Sequence, residues 1–166
     1  MASLCVMPSL IYGGTTEDHL GSLVWNRMNV PNHSFIVSLA IQQRLLTKDR
    51  LIKFGIITES LCDMFLAQQE DNYHLLYDCP FSAQCWGLFK NWVNINMPLV
   101  GVLEWGLKWR YRSLLKKQMV LAAMVAMVYH IWNVRNKCRI EFMIPRPCMV
   151  LAEVQTTARL HTIVVK

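Results

Sequence analysis

"QMVLAAMVAMVYHIWNV", residues 118–134, is the longest run without a formal charge in the chain, and its reading decides the fold. It lies between Lys116-Lys117 and Arg135, and its 17 residues include Gln118, His130 and Asn133. A bilayer span needs roughly 17–25 residues, so the run is at the bottom of that range and polar for it. The sequence therefore predicts a buried helix rather than a membrane segment. The helix extends over about 112–140, is apolar almost all round between Met119 and Val128, and forms the centre of a core. Ala122, Ala123 and Ala126 let neighbours approach closely, Met119, Met124 and Met127 fill space, and His130 reads as a hydrogen-bonded core histidine. Arg135, Lys137 and Arg139 sit near the helix end, where cations complement the helix dipole.

The pattern stays helical on both sides. Pro80 suits the first turn of a helix running to about Asn94, because no intrahelical donor is lost there. Phe81, Trp86, Leu88, Phe89, Trp92 and Val93 give that helix a large apolar surface. In "NHSFIVSLAIQQRLL", 32–46, apolar residues recur at three- and four-residue steps, with Asn32 or Ser34 as the N-cap. A short helix capped by Thr47 stops at Gly55, and its basic residues face away from Leu51, Ile52 and Phe54. Pro98 and Gly101 mark a connection, "PRP" at 145–147 breaks the chain, and a last helix covers about 149–161. Residues 1–23, with Gly13-Gly14 and "TTEDH", read as an irregular leader. The fold class is mainly α, with one helical domain over 24–166.

Composition sets further bounds. Hydrophobic residues make up 54% of the 166 and charged residues 17%, which excludes intrinsic disorder and leaves a surface poor in charge. Six cysteines follow a beginning with no signal-peptide pattern, so the expected compartment is intracellular and reducing, nucleus or cytoplasm, and not that of a disulfide scaffold. Cys5, Cys138 and Cys148 read as ordinary buried thiols.

"CDMFLAQQEDNYHLLYDC", 62–79, has the outline of a zinc site one thiolate short. Cys62, His74 and Cys79 are candidate ligands, and Phe65 stands where a C-x2-C half-site has its second cysteine. Cys85 is a possible substitute for the fourth ligand, with Asp63 and Asp78 as oxygen donors nearer in sequence. Two readings stay open: a zinc ion held by this set, or a Phe65 packed into the core beside two inert buried thiols.

Basic residues are concentrated between Trp105 and Ile140, at 108, 110, 112, 116, 117, 135, 137 and 139, with no acid among them. In "KWRYR", Lys108, Arg110 and Arg112 would share one side of an extended segment and Trp109 and Tyr111 the other. That arrangement suits single-stranded nucleic acid, whose bases stack on aromatic rings while cations hold the backbone; a solvated basic rim is the plainer reading. Arg44, Lys48, Arg50 and Lys53 read the same way, as phosphate contacts or a solvated helix face. The paired carboxylates of metal-dependent polymerases and nucleases, a phosphate-binding glycine loop and a G-x-S-x-G elbow are all missing, so the chain is expected not to be an enzyme and to have no small-molecule substrate.

"VWNRMNVPNHSFIVSLAIQQRLLTKDRLIKFGI", then Cys62, "HLLYDCPFSAQCW" and "VYHIWNVRNKCRI" together resemble the zinc-binding domain that follows the reverse transcriptase in plant non-LTR (LINE-type) retrotransposon polyproteins. The similarity runs from about Val24 to the C-terminus. The ligand pattern of that family is C-x2-C-x8-H-x4-C, matched here by Cys62, His74 and Cys79 and departed from at Phe65, which makes the segment a degenerate zinc knuckle. The resemblance implies a non-catalytic accessory module that binds zinc and RNA or DNA beside a reverse transcriptase. The contrasting expectations are a retroelement remnant without metal, and a helical protein-interaction module whose six tryptophans mark a docking face.

Overall fold

The computed structural model describes residues 24–96, 110 and 113–164, the last five by backbone alone. In chain order these form α1 (Pro31–Ile41), α2 (Lys48–Lys53), a π-helical turn (His74–Asp78), α3 (Pro80–Val93), α4 (Leu114–Glu141) and α5 (Pro147–Val164). Among the described residues there is no strand, only a single bridge between Leu61 and Gln69. The fold is mainly α with a small Cys/His loop, as the sequence predicts.

The uncharged run is the core helix. α4 packs against α1, α3, α5 and the π turn, and α3 in turn packs against α5 and the same turn. Met124 to Val128 and Ile131 are buried completely or nearly so. This enclosure explains why the helix shows no clean polar face. By length and composition α4 is the one described helix able to cross a membrane, and half of its most apolar window is covered by the rest of the fold. His130 departs from expectation. It packs edge-on against the rings of His33 and Tyr129, and its Nε2 is buried with no hydrogen-bond partner. Burial pushes its pKa down and favours the neutral ring.

Helix boundaries follow local chemistry, with corrections. α1 starts at Pro31 itself, which needs no donor in the first turn. The expected caps Asn32 and Ser34 therefore lie inside the helix, and the Ser34 hydroxyl donates to the carbonyl of Val24. Thr47 does occupy the cap position of α2, but its hydroxyl donates to Asp49 Oδ1 at 2.5 Å, and only its carbonyl engages the helix, accepting from the N–H groups of Arg50 and Leu51. α3 ends on Asn94 at φ 53°, a left-handed conformation that asparagine tolerates. α4 opens on Ser113, whose Oγ accepts from the Lys116 N–H at 3.4 Å.

Two basic residues are not where their charge suggests. Lys48 is 2% exposed, with Nζ 2.6 Å from Asp63 and 3.6 Å from Glu59, whereas Ile52 on the same short helix and Phe54 just after it are exposed. Arg135, expected as a dipole-complementing cation, is also 2% exposed. Its Nε donates to Glu70 Oε2 at 3.1 Å, its Nη2 donates to Glu70 Oε1, and the guanidinium lies over the Trp132 ring. Glu70 Oε1 also accepts from the Lys48 backbone N–H at 3.0 Å. One buried carboxylate thus joins α4, the start of α2 and the Cys/His loop.

Removing one partner of such a pair strands the other charge in the core. Arg135→Ala is expected to lower unfolding free energy by about 3–5 kcal/mol. Glu70→Leu/Arg135→Leu should cost clearly less than the sum of the single changes, as read by denaturant unfolding in a double-mutant cycle.

Candidate metal centre

Each donor of the Cys/His group is placed by a different local device. The loop after α2 doubles back on itself: Glu70 N–H donates to Ser60 C=O at 2.8 Å, and Cys62 N–H to Gln68 C=O at 2.8 Å. The reversal is closed by Leu66 N–H donating to Cys62 C=O at 2.7 Å, with Leu66 at φ 50°. Cys62 therefore sits at the mouth of a tight turn. His74 opens the π turn, its N–H donating to Asp71 Oδ1 at 2.7 Å.

The four residues between His74 and Cys79 explain the π geometry. Residues five apart on an α-helix point about 140° away from one another. The wider turn, closed by Cys79 N–H donating to His74 C=O at 2.7 Å, brings them back to one side. Cys79 is at once the end of this turn and the N-cap of α3.

One ligand atom from each of Cys62, His74 and Cys79 lies within 4.8 Å of the others, and all three residues are buried. The two sulfurs are 4.0 Å apart. Two thiolates on a tetrahedral zinc at 2.3 Å are about 3.8 Å apart, so the sulfurs already stand close to the spacing the ion requires. His74 Nδ1 lies 3.8 Å from Asp78 Oδ2, while its Nε2 is buried with no hydrogen-bond partner. An imidazole and two sulfurs within 4.8 Å of one another, with a carboxylate 3.8 Å from the imidazole Nδ1, are a donor set that fits zinc.

The electrostatics are those of a thiol pair sharing one proton. Hydrogen bonding from Cys62 pulls the Cys79 pKa down to about 7, against the effect of burial and with help from the α3 N-terminus. The same contact, together with burial, pushes Cys62 up. The nearby Cys62 thiol raises the His74 pKa, and burial opposes it.

The other candidates fall elsewhere. Phe65 is 47% exposed, so it does not pack into the core as one reading expected; the turn at 62–66 swings its ring outward. Cys85 is fully buried within the core and outside the group of three. Asp63 is engaged by Lys48, and Asp78 is exposed beside His74. Of "KWRYR", Lys108, Trp109, Tyr111 and Arg112 lie outside the described residues and Arg110 is exposed. Glu70, which anchors the loop, gave no sequence signal beyond being an acid in an otherwise weakly charged stretch.

Residues 9–86 match the family model described as zinc-binding in reverse transcriptase. The resemblance holds over that stretch, which contains Cys62, His74 and Cys79 and ends at Trp86, before α4 and α5. No curated protein and no solved structure matches the chain.

Leu66 holds a left-handed conformation that costs a non-glycine residue about 1 kcal/mol, and its side chain is largely exposed. Leu66→Gly should therefore leave the fold equally or up to about 1 kcal/mol more stable in thermal unfolding.

Proposed function

We propose that this chain is a non-catalytic, retroelement-derived zinc-binding module of the plant LINE type, acting inside the cell on RNA or DNA beside a reverse transcriptase. The observation that carries the zinc reading is the convergence of three buried donors within 4.8 Å with His74 Nε2 left unpartnered. Bound zinc would cross-link the loop, the π turn and the start of α3, and its binding free energy would add directly to folding. All five described cysteines are free thiols, in keeping with a reducing compartment.

Support for nucleic acid is electrostatic. The formal charge is +6, and Arg110, Lys116 and Lys137 are exposed. Such contacts attract phosphate without reading sequence. A second reading, a protein-docking module, draws on the exposed apolar corner between α4 and α5, where Ile140, Phe142, Ile144 and Met149 face solvent.

Protein purified without chelator should hold close to one zinc per chain, lose melting temperature on chelation, and lose the metal with Cys62→Ser. Occupancy should fall as pH drops through about 7, because Cys79, whose pKa is depressed to about 7 in the fold, then regains its proton and competes with the ion. Substoichiometric metal and a chelator-insensitive melting curve would overturn the zinc reading. RNA retention that declines steeply with salt is expected for the nucleic-acid reading, and salt-insensitive self-association would favour docking instead.

A further inference from the structure

The end of α2 carries a surface that neither the core nor the metal centre uses. Arg44, Ile52, Lys53 and Ile56 are exposed there, and Phe54, an aromatic ring, is 57% exposed. A sharp helix stop leaves them outside. Gly55, at φ 69°, donates its N–H to Ile52 C=O at 2.9 Å, and the Ile56 N–H donates to the carbonyl of the buried Leu51 at 2.9 Å.

Arg50 organises this surface. Its guanidinium carbon lies over the Phe54 ring, 5.4 Å from the centre, and its Nη1 donates to Gln43 C=O at 2.8 Å, next to Arg44 in the chain. Ring and planar cation are thus held together before any ligand arrives, which spares side-chain entropy on binding. The charge is one-sided. With Lys48 buried against Asp63, the cations Arg44, Arg50 and Lys53 stand against one carboxylate between Gln43 and Ile56, that of Asp49, which already takes Lys53 Nζ at 3.3 Å and the Thr47 hydroxyl. An apolar surface alone would suit a protein partner, but an exposed aromatic ring set among cations suits a polyanion with flat bases to stack. A small phosphate would use the cations and leave the ring in water. The first turn of α2 is also pinned to the Cys/His loop, by the Lys48 N–H to Glu70 Oε1 and Lys48 Nζ to Asp63, so that loop braces the surface from behind.

We propose that the end of α2 is a contact site for single-stranded nucleic acid: Phe54, held by Arg50, stacks on an unpaired base, while Arg44 and Lys53 take the flanking phosphates. This inference rests on the nucleic-acid reading above and deepens it; it does not depend on the zinc reading.

The test is binding of the full chain and its variants to a labelled oligouridine of about 12 nucleotides, an unstructured strand, over a range of salt, beside an RNA duplex of equal length. Phe54→Ala should weaken strand binding at least about fivefold and leave duplex binding unchanged, while the melting curve stays within a few degrees because the ring is exposed. Phe54→Trp should bind the strand at least as tightly as the unsubstituted chain, which separates loss of stacking from loss of fold. Arg44→Gln/Lys53→Gln should flatten the slope of log affinity against log salt by about 1.4. Strand binding unchanged by Phe54→Ala, or weakened equally for strand and duplex, would overturn this site and leave the nucleic-acid reading standing. A Phe54→Ala chain that loses salt-insensitive self-association and keeps strand binding would overturn it in favour of a protein partner. No strand binding by the unsubstituted chain would overturn both the site and the nucleic-acid reading.

Discussion

The buried Glu70–Arg135 pair is the constraint on which the rest of the structure depends. Two opposite charges in a core repay their desolvation only when geometry and hydrogen bonding are nearly complete. Here they are: the guanidinium donates twice to the carboxylate and lies over Trp132, and the carboxylate also takes the Lys48 N–H. Because Glu70 belongs to the loop and Arg135 to α4, satisfying the pair fixes the loop against the core helix. The backbone of Glu70 adds to this, donating to Ser60 and accepting from the Asp49 N–H at 3.1 Å.

The Cys/His group inherits its order from that anchor. Its loop has one bridge of its own, between Leu61 and Gln69, and Phe65, Leu66 and Gln68 at its tip are exposed. Such a loop does not bury enough apolar surface to hold a cysteine in register. Cys62 is held because the ladder ends on Glu70, and Cys79 because it caps α3 above the buried Trp86 and Phe89. The donors are therefore brought together by the hydrogen bonds and packing of the fold itself. This accounts for a cluster that keeps its geometry although the second cysteine of the C-x2-C half-site is a phenylalanine.

Much of this was legible in the sequence, and what was not has a common cause. Proline at N1 of α3, threonine at the cap position of α2 and the uncharged run of α4 are local signals, and they place these helices to within a few residues. The spacing of Cys62, His74 and Cys79 is likewise visible, although the π turn that makes a five-residue step converge is not. Lys48 and Arg135 misled because a cation in a sequence is reasonably read as solvated. Their burial depends on Asp63 and Glu70, acids 15 and 65 residues away, and no local pattern pairs them. Phe65 misled for the opposite reason: an aromatic reads as core, but a tight turn leaves it no interior to enter.

The fate of these cations changes what the basic bias can mean. Of the eight Lys and Arg residues between 108 and 139, Arg135 is neutralised by Glu70 and its charge is not available to a ligand. Of the other described ones, Arg110 precedes α4, Lys116 and Lys117 lie toward its start, and Lys137 and Arg139 toward its end. At 1.5 Å per residue the ends are on the order of 30 Å apart. That exceeds the screening length of about 8 Å at physiological salt several-fold, so the two groups act as separate weak fields and not as one patch. A compact anion would feel only one of them. On the nucleic-acid reading proposed above, only an extended polyanion would engage both ends at once.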